Sequence, residues 1–286
     1  MKKLMIAAAV AATAGIAGAI ESANVVGYQN KGLADGVFNT VCHTFKAVDG
    51  RLWTLGDLIP SDDFSASSVQ FATGTGSTKK FTLPNGDEVE GLFEYWREDE
   101  IDDGDLPDGA TATTGWYLWG EDGKLYLMSN VQIPEGGCYI VDAHDGDAAT
   151  LGGAGQVDAE DTDLPLTDGV FNWYGNCSPV DLTLADIAVS EDFSASSLQF
   201  MTGSGATKKV TLPNGDEVEG LFEYWRDEEI DEGDLPDGAS ATTGWYLWGE
   251  DGKLYLMSST SVPSGAGFII DAHDGDSAYV TIPSAL

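Results

Sequence analysis

Apolar and polar positions alternate with period two through most of the chain, which is the period of a half-buried strand rather than of a helix. The stretch GWYLWGEDGKLYLMS places Trp116 and Leu118 on one face and Tyr117 and Trp119 on the other. Gly120 to Gly123 interrupts the run before Lys124 to Met128 resumes it, so the segment reads as a hairpin. In KKFTLPNGDEVEGLFEYWR, Asn85-Gly86 stands between two runs of strand formers and predicts a second hairpin, because both residues tolerate positive φ. Further strands are predicted at residues 38–45, 67–71, 138–142 and 148–157. The single helical signal is TLGD at residues 54–57, echoed by TLAD at 183–186; each is a Thr-x-x-Asp cap able to start one short turn.

The heptapeptide GLFEYWR occurs at residues 91–97 and again at 220–226. With a shift of 129, residues 63–147 match residues 192–276 at 67 of 85 positions, and DGVFN at 35–39 recurs at 168–172 with a shift of 133. The chain is therefore a tandem duplication. Short strands throughout each copy predict an all-β fold of two tandem β-sandwich or small-barrel domains. The expected division is a signal peptide at 1–19, an N-terminal strand segment at 20–34, β-domain 1 at 35–157, a linker at 158–166 and β-domain 2 at 167–286.

The N-terminus carries a short basic region, an Ala-rich apolar stretch and Ala17-Gly18-Ala19, a pattern for export with cleavage after Ala19. No other long apolar run is present, so no membrane span is expected after cleavage. Forty-eight acidic against 13 basic residues give a formal net charge of −35, which repels nucleic acid. Apolar residues make up 42% of the chain, too many for a disordered acidic tail.

The segment ESANVVGYQNKGLADGVFN, followed by β units ending in a pattern such as IPEGGCYIVDAHDGDAATLGGAGQV, resembles a group of uncharacterised secreted bacterial proteins. The resemblance covers residues 21–45 and the last strands of each copy. It implies an exported, β-rich repeat protein at the cell surface and carries no catalytic residues to transfer.

Catalytic patterns are lacking: there is no G-x-S-x-G elbow and no H-E-x-x-H pair, and His144 and His273 recur only within DAHDGD. The acidic loops offer calcium ligands at Asp103, Asp105 and Asp108, at Asp142, Asp145 and Asp147, and at Asp234 in the second copy; the alternative is a solvated acidic turn. The aromatic residues Tyr117, Trp119, Tyr246 and Trp248 could form a platform for stacking sugar rings, with a core role as the rival and Trp116 and Trp245 assigned to the core. Cys42, Cys138 and Cys177 are disulfide candidates: a bridge between Cys42 and Cys138 would leave Cys177 free or intermolecular and has no equivalent in the second copy, where Gly267 replaces Cys138, and the alternative is three buried thiols. Val25, Val26 and Tyr28 belong to an N-terminal strand that can pair within its own chain or add to a neighbouring molecule. The leading reading is a non-enzymatic structural or adhesive surface protein, in one form a layer or filament subunit. A secreted glycan-binding module and a secreted hydrolase are the alternatives.

Overall fold

A computed structural model describes residues 26–47, 49–64, 68–143, 149–193, 197–272 and 278–286. Among these residues the protein is all-β, its only helical pieces being three-residue 3-10 turns. The first copy contributes β1 (Val26–Gly32), β2 (Val37–Cys42), β3 (Ile59–Pro60), β4 (Ser68–Gln70), β5 (Lys80–Thr82), β6 (Glu88–Glu90), β7 (Phe93–Trp96), β8 (Gly115–Trp119), β9 (Leu125–Leu127), β10 (Cys138–Ala143) and β11 (Thr150–Gln156). The second contributes β12 (Thr162–Pro165), β13 (Val170–Gly175), β14 (Leu182–Thr183), β15 (Ala188–Val189), β16 (Ser197–Gln199), β17 (Lys209–Thr211), β18 (Glu217–Glu219), β19 (Phe222–Trp225), β20 (Gly244–Trp248), β21 (Leu254–Leu256), β22 (Ser261–Val262), β23 (Gly267–Ala272) and β24 (Tyr279–Ile282).

Each copy builds a six-stranded antiparallel sheet, ordered β2-β10-β4-β7-β8-β9 in the first and β13-β23-β16-β19-β20-β21 in the second. A three-stranded sheet accompanies each, β1-β11-β3 and β12-β24-β15. Both expected hairpins form: β5 pairs with β6, and β8 with β9. Gly86 turns the first of these with a φ of 96°, which an L side chain rarely adopts. The Thr-x-x-Asp signals start 3-10 turns at Leu55–Asp57 and Leu184–Asp186. In the first, Asp57 accepts hydrogen bonds from the Thr54 amide at 2.7 Å and the Thr54 hydroxyl at 2.8 Å.

Alternation decides what each face of a strand buries. Trp116 and Leu118 point into the large first-copy core with Phe64, Phe93 and Tyr139; Trp245 and Leu247 do the same in the second copy with Phe193, Phe222 and Phe268. Tyr117, from the opposite face of β8, lies in a satellite cluster with Ile101, Leu106 and Leu125. The acidic loop at residues 98–109 therefore folds over the sheet by turning two apolar side chains inward and its carboxylates outward. Tyr246 is covered in the same way by Ile230 and Leu235.

One placement differs from the expected division, and one resolves an alternative. The segment expected as a linker, 158–166, contains β12, which pairs with β24 from Thr162↔Ile282 to Pro165↔Tyr279. It occupies the place in the second copy that β1 holds in the first, and Pro165 with the Asp-rich stretch before it hid it. The N-terminal strand pairs within its own chain along all seven residues of β1, Val26 opposite Gln156 and Gly32 opposite Thr150. Tyr28 stays 60% exposed on it. Val25, the preceding segment and His144, Asp145, Asp147 and His273 lie outside the described residues.

The copies meet through the free edges of β2 and β13, and the contacts are reciprocal. Phe38 N donates to Gly203 O and Phe171 N to Gly74 O, both at 2.9 Å. Cys42 N donates to Gly265 O and Gly175 N to Gly136 O, both at 3.0 Å. Each pair is the duplicate of the other, so the copies are related by an approximate two-fold axis, as in an isologous dimer. A Cβ on Gly74 would stand 2.7 Å from Val170 Cβ, and one on Gly203 would stand 2.5 Å from Val37 Cβ. Glycine at both places is what lets the edges approach. Among the described residues no helix is long and apolar enough to cross a membrane.

Candidate functional site

The outer face of each six-stranded sheet carries one repeated constellation. On β7, Phe93 and Tyr95 turn inward, which leaves Glu94 and Trp96 on the outer face beside Trp119 of β8. Glu94 Oε2 accepts a hydrogen bond from Trp96 Nε1 at 3.1 Å and another from Trp119 Nε1 at 3.0 Å. The two indoles stand edge to face, 6.3 Å apart at 83°. In the second copy Glu223 accepts from Trp225 at 3.0 Å and Trp248 at 3.1 Å, with the rings 6.4 Å apart at 83°.

A carboxylate held by two N–H donors is fixed in place, and it fixes both rings in turn. One face of the pair is left to solvent: Trp119 is 38% exposed and Trp248 39%. Beside Trp119 runs an open groove of about 410 Å³, lined by Lys80, Glu88, Glu90, Leu92 and Glu121. The combination of a rigid indole face with flanking carboxylates and a lysine suits a ligand having both C–H faces and hydroxyl groups.

The expected aromatic set divides accordingly. Trp119 and Trp248 sit at the surface, whereas Tyr117 and Tyr246 are buried and each donates its hydroxyl at 2.6 Å to a backbone carbonyl, that of Thr113 or Thr242. The two tyrosines are not part of a surface platform, because the acidic loop covers the part of the outer face that they occupy and leaves Trp119 and Trp248 open. Glu94, Trp96, Glu223 and Trp225 complete the constellation instead. Their signal lay in the sequence as Glu-x-Trp, a spacing of two that places both side chains on one strand face.

The acidic candidates stay apart. Asp103 and Asp105 lie in a 3-10 turn with Asp103 and Asp108 exposed, and the turn's Gly104 carbonyl is taken by Lys124 Nζ. Asp234 occupies the same turn in the second copy, and Asp142 lies in β10. Among the described residues no three His, Cys, Asp or Glu side chains converge as a metal site.

A second gathering of chemistry lies at the seam of the copies, in a hollow of about 130 Å³ lined by His43, Lys46, Arg51, Trp53, Glu135, Asp158 and Cys177. Sequence reasoning did not single it out, since it needs the 162–177 segment folded against residues 43–53. Its cations are already matched. Lys46 Nζ lies 2.8 Å from Glu135 and 2.6 Å from Asp158, contacts that hold its pKa above the usual lysine value. Arg51 makes two 2.6 Å bonds to Asp57, which chiefly through these hold the Asp57 carboxyl at about 2. Burial lowers His43 to about 4, so it is neutral at pH 7, stacked on Trp53 with centroids 4.7 Å apart. Burial raises Cys177 to about 11, and a thiol protonated at neutral pH is a poor nucleophile. The charged groups of the hollow are paired, while His43 Nδ1 and Trp53 Nε1 are buried without a hydrogen-bond partner.

Comparison of the chain with protein-family models, with curated proteins and with solved structures gives no match, so the repeated Glu-Trp-Trp constellation and its groove carry the functional reading on their geometry alone.

Proposed function

We propose that the protein is an exported adhesive or structural surface protein whose two tandem β-domains, sandwich-like in design, each present one contact for a polysaccharide. The observation that carries this reading is the duplicated Glu94-Trp96-Trp119 and Glu223-Trp225-Trp248 constellation, in which an exposed indole is held rigid by a carboxylate. A rigid aromatic face stacks on a sugar ring with little loss of side-chain entropy. Two such faces on one chain bind a repeating polymer with avidity beyond either alone. The basic-apolar-small N-terminal pattern supports export, and a charge of −35 favours an uncharged ligand over nucleic acid. The reading needs no catalytic group.

The test is retention of the protein on immobilised neutral polysaccharides. Trp119→Ala or Trp248→Ala should weaken retention, and the double variant should abolish it, with thermal unfolding within about 5 °C of the parent. Trp116→Ala, in the core, should instead cost about 3–5 kcal/mol. A folded double variant that is retained like the parent would overturn the proposal.

A further inference from the structure

At the seam, the copies differ in a matched way. Where the first copy has Cys42 and Cys138, the second has Gly175 and Gly267 at the equivalent positions. In both copies the two positions stand directly opposite each other in an antiparallel ladder: Cys138↔Cys42 between β10 and β2, and Gly175↔Gly267 between β13 and β23. The thiol pair and the glycine pair face one another across the approximate two-fold axis. A Cβ on Gly175 would overlap Cys42 Cβ, and one on Gly267 would stand 3.1 Å from Cys138 Cβ. The second copy thus gives up both side chains where the first places two sulfurs.

The ladder type matters for what those sulfurs can do. The Cys42 amide points away from β10 and donates to Gly265 O at 3.0 Å, so Cys42 and Cys138 form a non-hydrogen-bonded pair. Such pairs bring opposite Cα atoms to about 4.5 Å, within the span that a disulfide bridges, with both side chains on the same face. All three cysteines are free thiols in this structure, Cys42 Sγ donating to the carbonyls of His43 at 3.4 Å and Gly136 at 3.6 Å; Cys177, on the second copy, lines the hollow nearby and is half-buried, whereas Cys42 and Cys138 are buried.

We propose that Cys42 and Cys138 form a cross-strand disulfide in the exported protein, seated in the hollow left by Gly175 and Gly267, with Cys177 remaining a thiol. The oxidant is a disulfide compound of the export compartment, a small-molecule disulfide or a disulfide oxidoreductase. One protein thiolate attacks it, forms a mixed disulfide and releases one thiol. The second protein thiolate then attacks the mixed disulfide at the protein sulfur and releases the other thiol. Two protein thiols lose two protons and two electrons, and the oxidant's disulfide is reduced to two thiols. Burial of both sulfurs beneath the second copy places the reaction during folding, before the seam closes. The bond ties β2 to its neighbour β10 in the six-stranded sheet of the first copy and constrains the unfolded chain over the long loop between them.

The full-length mature chain is refolded from denaturant in a buffer of reduced and oxidised glutathione, and free thiols are then alkylated under denaturing conditions and mapped by mass spectrometry. One alkylated cysteine per chain, Cys177, with a linked peptide pair containing Cys42 and Cys138, is the expected result. Cys177→Ser should keep that linked pair and leave no free thiol. Reductant should lower the melting temperature of the oxidised parent and leave that of Cys138→Gly unchanged. Three free thiols in the refolded parent, or a bond from Cys177 to Cys42, Cys138 or a second chain, would overturn the proposal.

Discussion

At the residue scale, the fate of a side chain here is set by one strand position more than by its type. Trp116 and Trp119 lie three residues apart on β8; the first is fully buried and the second 38% exposed. His43 shows the same dependence on place. Its counterpart in the second copy, Asn176, is buried and bonds the carbonyls of Val180 and Val262 at 3.0 and 2.9 Å. His43 is as buried, but its Nδ1 finds no protein partner in the structure, and desolvation holds its pKa at about 4 despite the opposing influence of Asp57. A base whose pKa is lower in the folded than in the unfolded chain destabilises the fold on acidification, because the unfolded state takes up the proton first. The loss begins below the unfolded value of about 6.5 and is complete near 4. It amounts to something on the order of 3 kcal/mol. Urea unfolding of the parent and of His43→Asn at pH 7, 5.5 and 4 should show the parent losing stability that the variant keeps. Parallel pH profiles would mean that His43 takes up its proton in the folded state at its ordinary pKa.

Elements rather than single residues explain the acidic loops. Residues 98–109 contain Asp102, Asp103, Asp105 and Asp108, yet the loop is held down by Ile101 and Leu106, 8% and 5% exposed, packed on Tyr117 and Leu125. Arg97, at the loop's start, donates to the carbonyls of Ser61 and Asp62 at 3.2 and 2.8 Å and anchors the neighbouring turn. Ile101→Ala should therefore cost about 2–4 kcal/mol in urea titration, by removing a buried side chain from a small cluster. Asp103→Asn, an exposed change among like charges, should stay within about 0.5 kcal/mol of the parent. A larger effect at Asp103 than at Ile101 would mean that the carboxylates, not the apolar anchors, hold the loop.

For the whole molecule, the decisive feature is the seam. A chain of net charge −35 packs two acidic bodies together where carboxylates are absent or paired with a cation. Along β2 and β13 the seam is built accordingly from backbone hydrogen bonds and small or uncharged side chains, among them Val37, Phe38, Gly74, Val170, Phe171 and Gly203, and the carboxylates of Glu135 and Asp158 that reach its hollow are both paired with Lys46. Trp173 adds a bond that has no twin, its Nε1 donating at 3.0 Å to Thr73 O, because Thr40 stands at the matching place in the first copy. The two copies should unfold together in calorimetry. Gly203→Ala, which forces a methyl group against Val37, should split that transition in two, and Gly74→Ala should do so through Val170. An unsplit transition at unchanged temperature in both variants would show that the seam does not couple the copies.

The all-β class, both hairpins, the capped turns and the duplication were legible because each is local or periodic. A strand needs only alternation, a tight turn needs only residues tolerant of positive φ, and a repeat needs only the chain compared with itself. Leu164 and Leu166 keep that period between the outward Asp163 and Pro165, but proline is unusual in a strand and the preceding stretch is rich in Asp, so β12 read as a linker although its partner β24 makes it a strand. What alternation cannot state is which part of a face meets solvent when a loop folds over the rest of it. That is why Tyr117 and Tyr246 are buried while Trp119 and Trp248 are not. The bond from Trp119 to Glu94, the hollow around His43 and the thiol pair facing two glycines join residues far apart in the chain. Such contacts exist only after sheets form and copies dock, and the tertiary structure alone decided them.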